Sequence, residues 1–176
     1  GNVWVWDAEG NPKLVQMSLP GRFIDNVNLK ASYVLTAFED GKADLKDLSG
    51  NKNRILEQGE NPGRITAVCW SDNGKLIAAG TTDSTILIWN TSLENNEPVW
   101  KLRTGSPVRS MAFCGSDTLF TVQGDRTVSL TRISDLSSEE LPVFEGEKPI
   151  CVAWKKDRKI LLAGCASGSI ILIDPY

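Results

Sequence analysis

Aspartates stand where apolar runs meet in this sequence, at Asp40-Gly41, Asp83-Ser84 and Asp125-Arg126, with Ser167-Gly168 in the same place once more. Facing carboxylates could do acid–base chemistry. These recur at one fixed phase, so they do not oppose one another, and they read instead as acceptors for backbone N–H groups in tight turns. The chain contains no histidine, which removes the commonest general base and the commonest metal ligand near neutral pH. Ser106, Ser110 and Ser116 therefore have no imidazole to activate them. Cys69, Cys114, Cys151 and Cys165 form no C-x-x-C pair, so zinc spacing is absent. Three of them lie in apolar runs, where a free thiol behaves as a small hydrophobe. No glycine-rich phosphate loop is present. Six tryptophans could stack nucleic-acid bases, but Trp70, Trp89 and Trp154 sit at phased strand positions that mark a core. Only Trp4 and Trp100, nearer a rim, are placed for exposure. The expectation is a protein without catalytic residues, cofactor or metal.

Bulk properties narrow the partners. The 176 residues suffice for one domain with a sizeable core. A net charge of −3 disfavours nucleic acid, because phosphate neutralisation dominates that kind of binding. No apolar stretch reaches the ~18 residues a membrane-spanning helix needs. Cysteines without an evident pairing scheme point to a reducing compartment, cytoplasm or nucleus.

The elements that hold the turns repeat. Five segments read alike: 2–7, 42–47, 85–90, 127–132 and 169–174, with fifth residues Trp6, Lys46, Trp89, Thr131 and Ile173. Their spacings are 40, 43, 42 and 42 residues. Before each of the last four lies a polar turn, and before the turn a short apolar run, which is the signature of a hairpin. One step upstream is an inner strand: 23–29, 65–70, 108–113 and 150–154. Beyond it comes a fourth, more polar strand: Lys13 to Ser18, Arg54 to Glu57, Val99 to Leu102 and Leu141 to Phe144. The acidic stretch 137–140 is expected to be a solvated loop. Four short strands in about 42 residues, repeated, predict an all-β propeller, with repeats at about 8–47, 48–90, 91–132 and 133–174 and one extra strand.

The stretch ITAVCWSDNGKLIAAGTTDSTILIWN, residues 65–90, resembles the WD40 repeat, and Trp6-Asp7 is a literal WD dipeptide. The resemblance covers essentially the whole chain. It implies a WD40-type β-propeller that acts as a non-enzymatic scaffold or adaptor for protein–protein interaction within a larger complex. Runner-up readings are a propeller hydrolase and a nucleic-acid-associated WD40 subunit. Two departures stand out. The family's Gly-His, whose histidine joins a buried polar network, is missing throughout. The count of repeats is also below the usual seven, so the chain is expected to be part of a larger propeller, closed by a complementary segment or by a second copy.

Such propellers resemble peptide binders that use the mouth of the central channel. The loop before each inner strand borders that mouth, and Arg22, Arg64, Arg109 and Lys148 are placed there. Gathered, they would attract an acidic or phosphorylated peptide. The plainer alternative is scattered, solvated charge.

Overall fold

The computed structural model describes residues 3–6, 9, 12–15, 24–30, 33–38, 40–48, 53–59, 63–142 and 146–174, with only the backbone of 3–6, 12–15 and 24–30. Every regular element among them is a strand. A hairpin of β1 (Val3–Trp6) and β2 (Pro12–Val15) comes first. Blade one is β3 (Ile24–Lys30), β4 (Tyr33–Phe38), β5 (Ala43–Asp47) and β6 (Asn53–Leu56). Blade two is β7 (Ile65–Trp70), β8 (Leu76–Thr81), β9 (Thr85–Asn90) and β10 (Trp100–Arg103). Blade three is β11 (Val108–Cys114), β12 (Thr118–Gln123), β13 (Val128–Arg132) and β14 (Ser138–Leu141). Blade four holds β15 (Pro149–Lys155), β16 (Ile160–Cys165) and β17 (Ile170–Ile173). Every pairing is antiparallel. Each sheet takes its outer strand from the head of the following sequence repeat, so sheets and repeats are offset by one strand.

The turns explain why the hairpins close where they do. Gly41, Ser84, Arg126 and Gly168 occupy one position in four hairpins, and all have positive φ, from 63° to 90°. In three of them the same pair of bonds closes the loop, as where Arg126 N–H donates to Gln123 O and Gln123 N–H to Thr127 O. That is a type I turn followed by a left-handed residue, the common three-residue hairpin loop. Asp40 and Asp125 accept the backbone N–H of Lys42 and Thr127 at 3.1 and 3.0 Å, as the sequence leads one to expect.

Burial explains the strand composition. β8 is buried along its whole length, and β4 and β9 nearly so. A strand covered on both faces must be apolar throughout rather than alternating. The covering comes from neighbouring blades. Leu35, Leu45 and Leu56 of blade one pack on Val68, Ile77 and Trp89 of blade two. Ala78, Ile86 and Ile88 on the other face meet Val108, Met111 and Phe113 of blade three. Phe120 and Leu130 then meet Val152 and Leu161 of blade four. The approach is close: a Cβ on Gly80 would lie 2.4 Å from Val108 Cγ1. Each inner strand carries a bulge at the same place, between Ile24/Asn26, Ile65/Ala67, Val108/Ser110 and Pro149/Cys151. Near the bulge, side chains bridge neighbouring inner strands: Thr66 Oγ1 donates to Val108 O, and Val152 N–H donates to Ser110 Oγ.

One expected strand is misplaced. The outer strand of blade three is Ser138–Leu141, paired with β13 as Val128↔Leu141 to Thr131↔Ser138. It therefore includes most of the acidic stretch expected to be loop. Its first three residues are exposed, so its composition follows solvent, while its conformation follows the pairing partner. Charge on such an edge also discourages stray strand pairing, and Glu139 reaches Arg132 at 3.6 Å.

Two stability effects follow. Phe113→Ala, which empties the interface between blades two and three, should cost roughly 3–5 kcal/mol in denaturant unfolding; a cost under ~1 kcal/mol would mean that the interface is not as described. Arg126→Gly should instead stabilise by about 0.5–1 kcal/mol, because glycine adopts the left-handed turn without a Cβ penalty. Equal or lower stability of that variant would contradict the turn geometry.

Candidate functional site

The loops that lead into the inner strands are tied to the hairpin turns beside them. Thr82 N–H donates to Arg64 O, and Arg64 N–H to Thr82 Oγ1, at 2.9 and 3.1 Å. Gly124 N–H donates to Pro107 O at 2.7 Å and Ala166 N–H to Lys148 O at 2.9 Å. Arg64, Pro107 and Lys148 thus occupy the same structural position in successive blades, with their backbones held. The side chains of Arg64 and Lys148 are exposed. Arg109 is exposed as well, but it sits two residues further on, at the bulge of β11. Arg22 lies outside the described residues. The structure therefore gives Arg64 and Lys148 one phase, separates them by an uncharged proline, and sets Arg109 apart on the inner strand itself.

Carboxylates share this rim. Asp83 faces Arg103 at 3.9 Å, with both side chains well exposed, and it accepts the Thr81 hydroxyl. Asp125 is held below the usual carboxylate range, chiefly by the N–H of Thr127. The Ser167 hydroxyl, 2.6 Å away, does the same for Glu147. The rim is thus of mixed sign, with cations on the entering loops and anions on or beside the turns.

The polar groups that stand in for the missing histidine differ from blade to blade. Blade two uses Thr81, whose hydroxyl donates to Thr85 O and accepts Thr85 N–H. In blade three Gln123 Nε2 donates to Ser129 Oγ, and Gln123 Oε1 accepts Ser106 N–H. Blade four uses Ser167 with Glu147. The sequence pointed to none of these, because each depends on which side chain the fold brings beside the turn. Among the described residues no group of three or more Cys, Asp or Glu is arranged to hold a metal. Cys69, Cys114 and Cys165 are buried, Cys151 is exposed, and none of the four forms a disulfide.

Two surfaces stand out. Blade four has the same face that blade two turns toward blade three, but among the described residues nothing covers it. Ile170 and Leu172 are 71% and 64% exposed. Their equivalents in blade two, Ile86 and Ile88, are 1% and 0% exposed. Gly164 stands at the register position that Gly80 occupies beneath Val108. The second surface is a groove between blades one and two, near Trp70. Trp70 and Trp154 share one phase, and each has a buried indole N–H without an acceptor.

Residues 50–90 and 138–174 match the WD40 family, described as WD domain, G-beta repeat. The chain is 27% identical over 153 residues to the small ribosomal subunit protein RACK1y of Oryza sativa subsp. japonica, covering 81% of this chain and 44% of that protein. It is 23% identical over 115 residues to the APC/C activator protein CDC20 of Saccharomyces cerevisiae, covering 65% of this chain and 19% of that one. It thus spans less than half the length of either relative. Two computationally designed proteins share its fold. Ika4 superposes with a TM-score of 0.68 at 19% identity, over 89% of this chain and 94% of that one. Ika8 gives 0.73 at 21% identity, over 99% of this chain and 52% of that one. Phased hairpins and interlocking blades make the chain an all-β, WD40-type β-propeller fold, two of whose repeats match the WD40 family.

Proposed function

We propose that the chain is a non-enzymatic interaction scaffold of the cytoplasm or nucleus, built into a larger assembly through the uncovered face of its fourth blade. The observation that carries this reading is the contrast between Ile170 and Leu172, in the open, and their buried equivalents Ile86 and Ile88. Covering each side chain contributes roughly 1.5–3 kcal/mol. A third strand without an outer neighbour also leaves backbone donors and acceptors for a partner strand. A further blade satisfies both needs, brought by a complementary propeller segment or by a second copy. Largely buried cysteines that form no disulfide fit a reducing compartment.

The mouth of the closed ring then binds acidic or phosphorylated peptides. Arg64, Lys148 and Arg109 supply the attraction, together with Arg22, which precedes the first inner strand in sequence, and the held backbones of Arg64 and Lys148 limit the ordering cost.

Sedimentation at micromolar concentration tests closure. The 19.3 kDa chain should run as a dimer, or as a complex once a segment carrying the remaining blades is added. Ile170→Glu with Leu172→Glu should run as a monomer in both cases. A wild-type monomer that unfolds cooperatively and ignores the added blades would overturn the proposal. For the rim, the probe is an acetylated Asp-phosphoSer-Asp-Glu amide on the closed ring. Arg64→Glu with Lys148→Glu should weaken it more than about tenfold at low salt, and unchanged affinity would dismiss the rim.

A further inference from the structure

The groove between blades one and two has a volume of about 910 Å³ and is lined by Tyr33, Leu45 and Ile55 of blade one and by Trp70 and Leu93 of blade two. Ile55 and Leu93 are among the large apolar side chains left exposed. The walls are pinned together. Arg54 Nε donates to Asn96 Oδ1 at 3.1 Å, its Nη2 donates to Asn95 O, and Glu57 N–H donates to Asn96 O at 2.9 Å. The cleft is therefore preformed and does not wait on a ligand to order it.

One charged group in it has no opposing charge, and a buried donor lies in its wall. Trp89 and Trp70 both belong to this blade pair. The Trp89 N–H is bonded to Asn96 O at 3.0 Å. Trp70 is only 8% exposed, and its N–H has no acceptor. A buried indole donor normally finds a partner. Arg54 also lines the groove, and its hydrogen bonds go to neutral amide oxygens. Burial lowers its pKa, the mark of a cation whose desolvation no carboxylate offsets. Glu94 is the one carboxylate among the described lining residues, and it is exposed.

We propose that this groove binds a short extended peptide in which an aliphatic side chain adjoins a carboxylate. The aliphatic group fills the space between Tyr33, Ile55 and Leu93. The carboxylate pairs with Arg54, and the peptide lies against the Trp70 side chain that lines the groove. A carboxylate suits the unopposed guanidinium, because a charge-assisted bond is about twice as strong as a neutral one. Glu94 at the lip disfavours a second negative charge on the ligand. The site lies on the inter-blade groove, away from the rim loops, and rests on the reading of the chain as a peptide-binding scaffold.

The test uses the whole chain with ¹⁵N-labelled tryptophan. Six indole N–H signals are expected from six tryptophans, and Trp70→Phe assigns the one that matters. The probes are acetyl-Ala-Leu-Asp-Ala amide and its Asn counterpart, titrated to about 10 mM, a range that reaches weak binding. The Trp70 signal, from a side chain in the groove wall, should shift and saturate with the Asp peptide, and the Asn peptide should bind about tenfold more weakly. The Trp154 signal, from the same phase of blade four, should stay in place. Leu93→Glu, at an exposed position, should abolish the shift and leave the other five signals unchanged. A Trp70 signal that does not move, equal binding of both peptides, an equal shift at Trp154 or indifference to Leu93→Glu would each overturn the proposal. Such a failure would leave the rim reading standing, since that reading is tested with a different probe and different variants.

Discussion

Everything in this molecule depends on the burial of each blade on both faces. A single four-stranded sheet in water has one face too many. The propeller solves this by laying the next blade on it, and the approach is close enough that Gly80 has no room for a side chain beneath Val108. Strands caught between two blades lose the alternation of a half-solvated sheet. Six consecutive buried residues in β8 are the result. The same requirement makes the face of blade four informative, because a face built to be covered is identifiable from its buried equivalents.

The inner parts of the fold were legible in the sequence, and the outer parts less so. Hairpins could be read because two constraints coincide there: runs buried on both faces, and turns that demand a left-handed residue or an acidic cap. Outer strands face solvent and answer to their neighbour. β14 reads Ser-Glu-Glu-Leu, and nothing in that composition asks for a strand; the free edge of β13 does. Counting residues along the repeat placed Arg64 and Lys148 correctly at the loop before an inner strand. Arg109 does not share that position: it lies inside the inner strand itself, at the phase of Thr66 in blade two. The unmet donor of Trp70 lay beyond sequence altogether, since it depends on which acceptors the folded chain brings beside the indole.

The loss of the family's histidine shows how little of the polar network the fold requires. Each turn needs a donor and an acceptor beside the entering loop, so that hairpin and inner strand move as one piece. Thr82 with Arg64, Gln123 with Ser106 and Ser129, and Ser167 with Glu147 meet that need in turn. A net hydrogen bond contributes only about 1 kcal/mol, whereas the apolar interface between two blades engages several large side chains. Packing therefore sets the architecture, and the polar groups at the turns can vary without loss of the blade.

That division of labour bears on function. Where the blade core is fixed by packing, residues on the rim loops and in the inter-blade grooves contribute little to folding and can follow a ligand's chemistry instead. The rim loops offer cations beside the turn carboxylates, on backbones already tied down. The groove between the first two blades offers an apolar cleft whose walls are fastened by Arg54 and Asn96. Both surfaces are rigid before anything binds, which reduces the entropy that association must overcome. A scaffold needs that property more than it needs reactive groups: several preformed, chemically distinct surfaces on one frame, each able to vary while the frame stays the same.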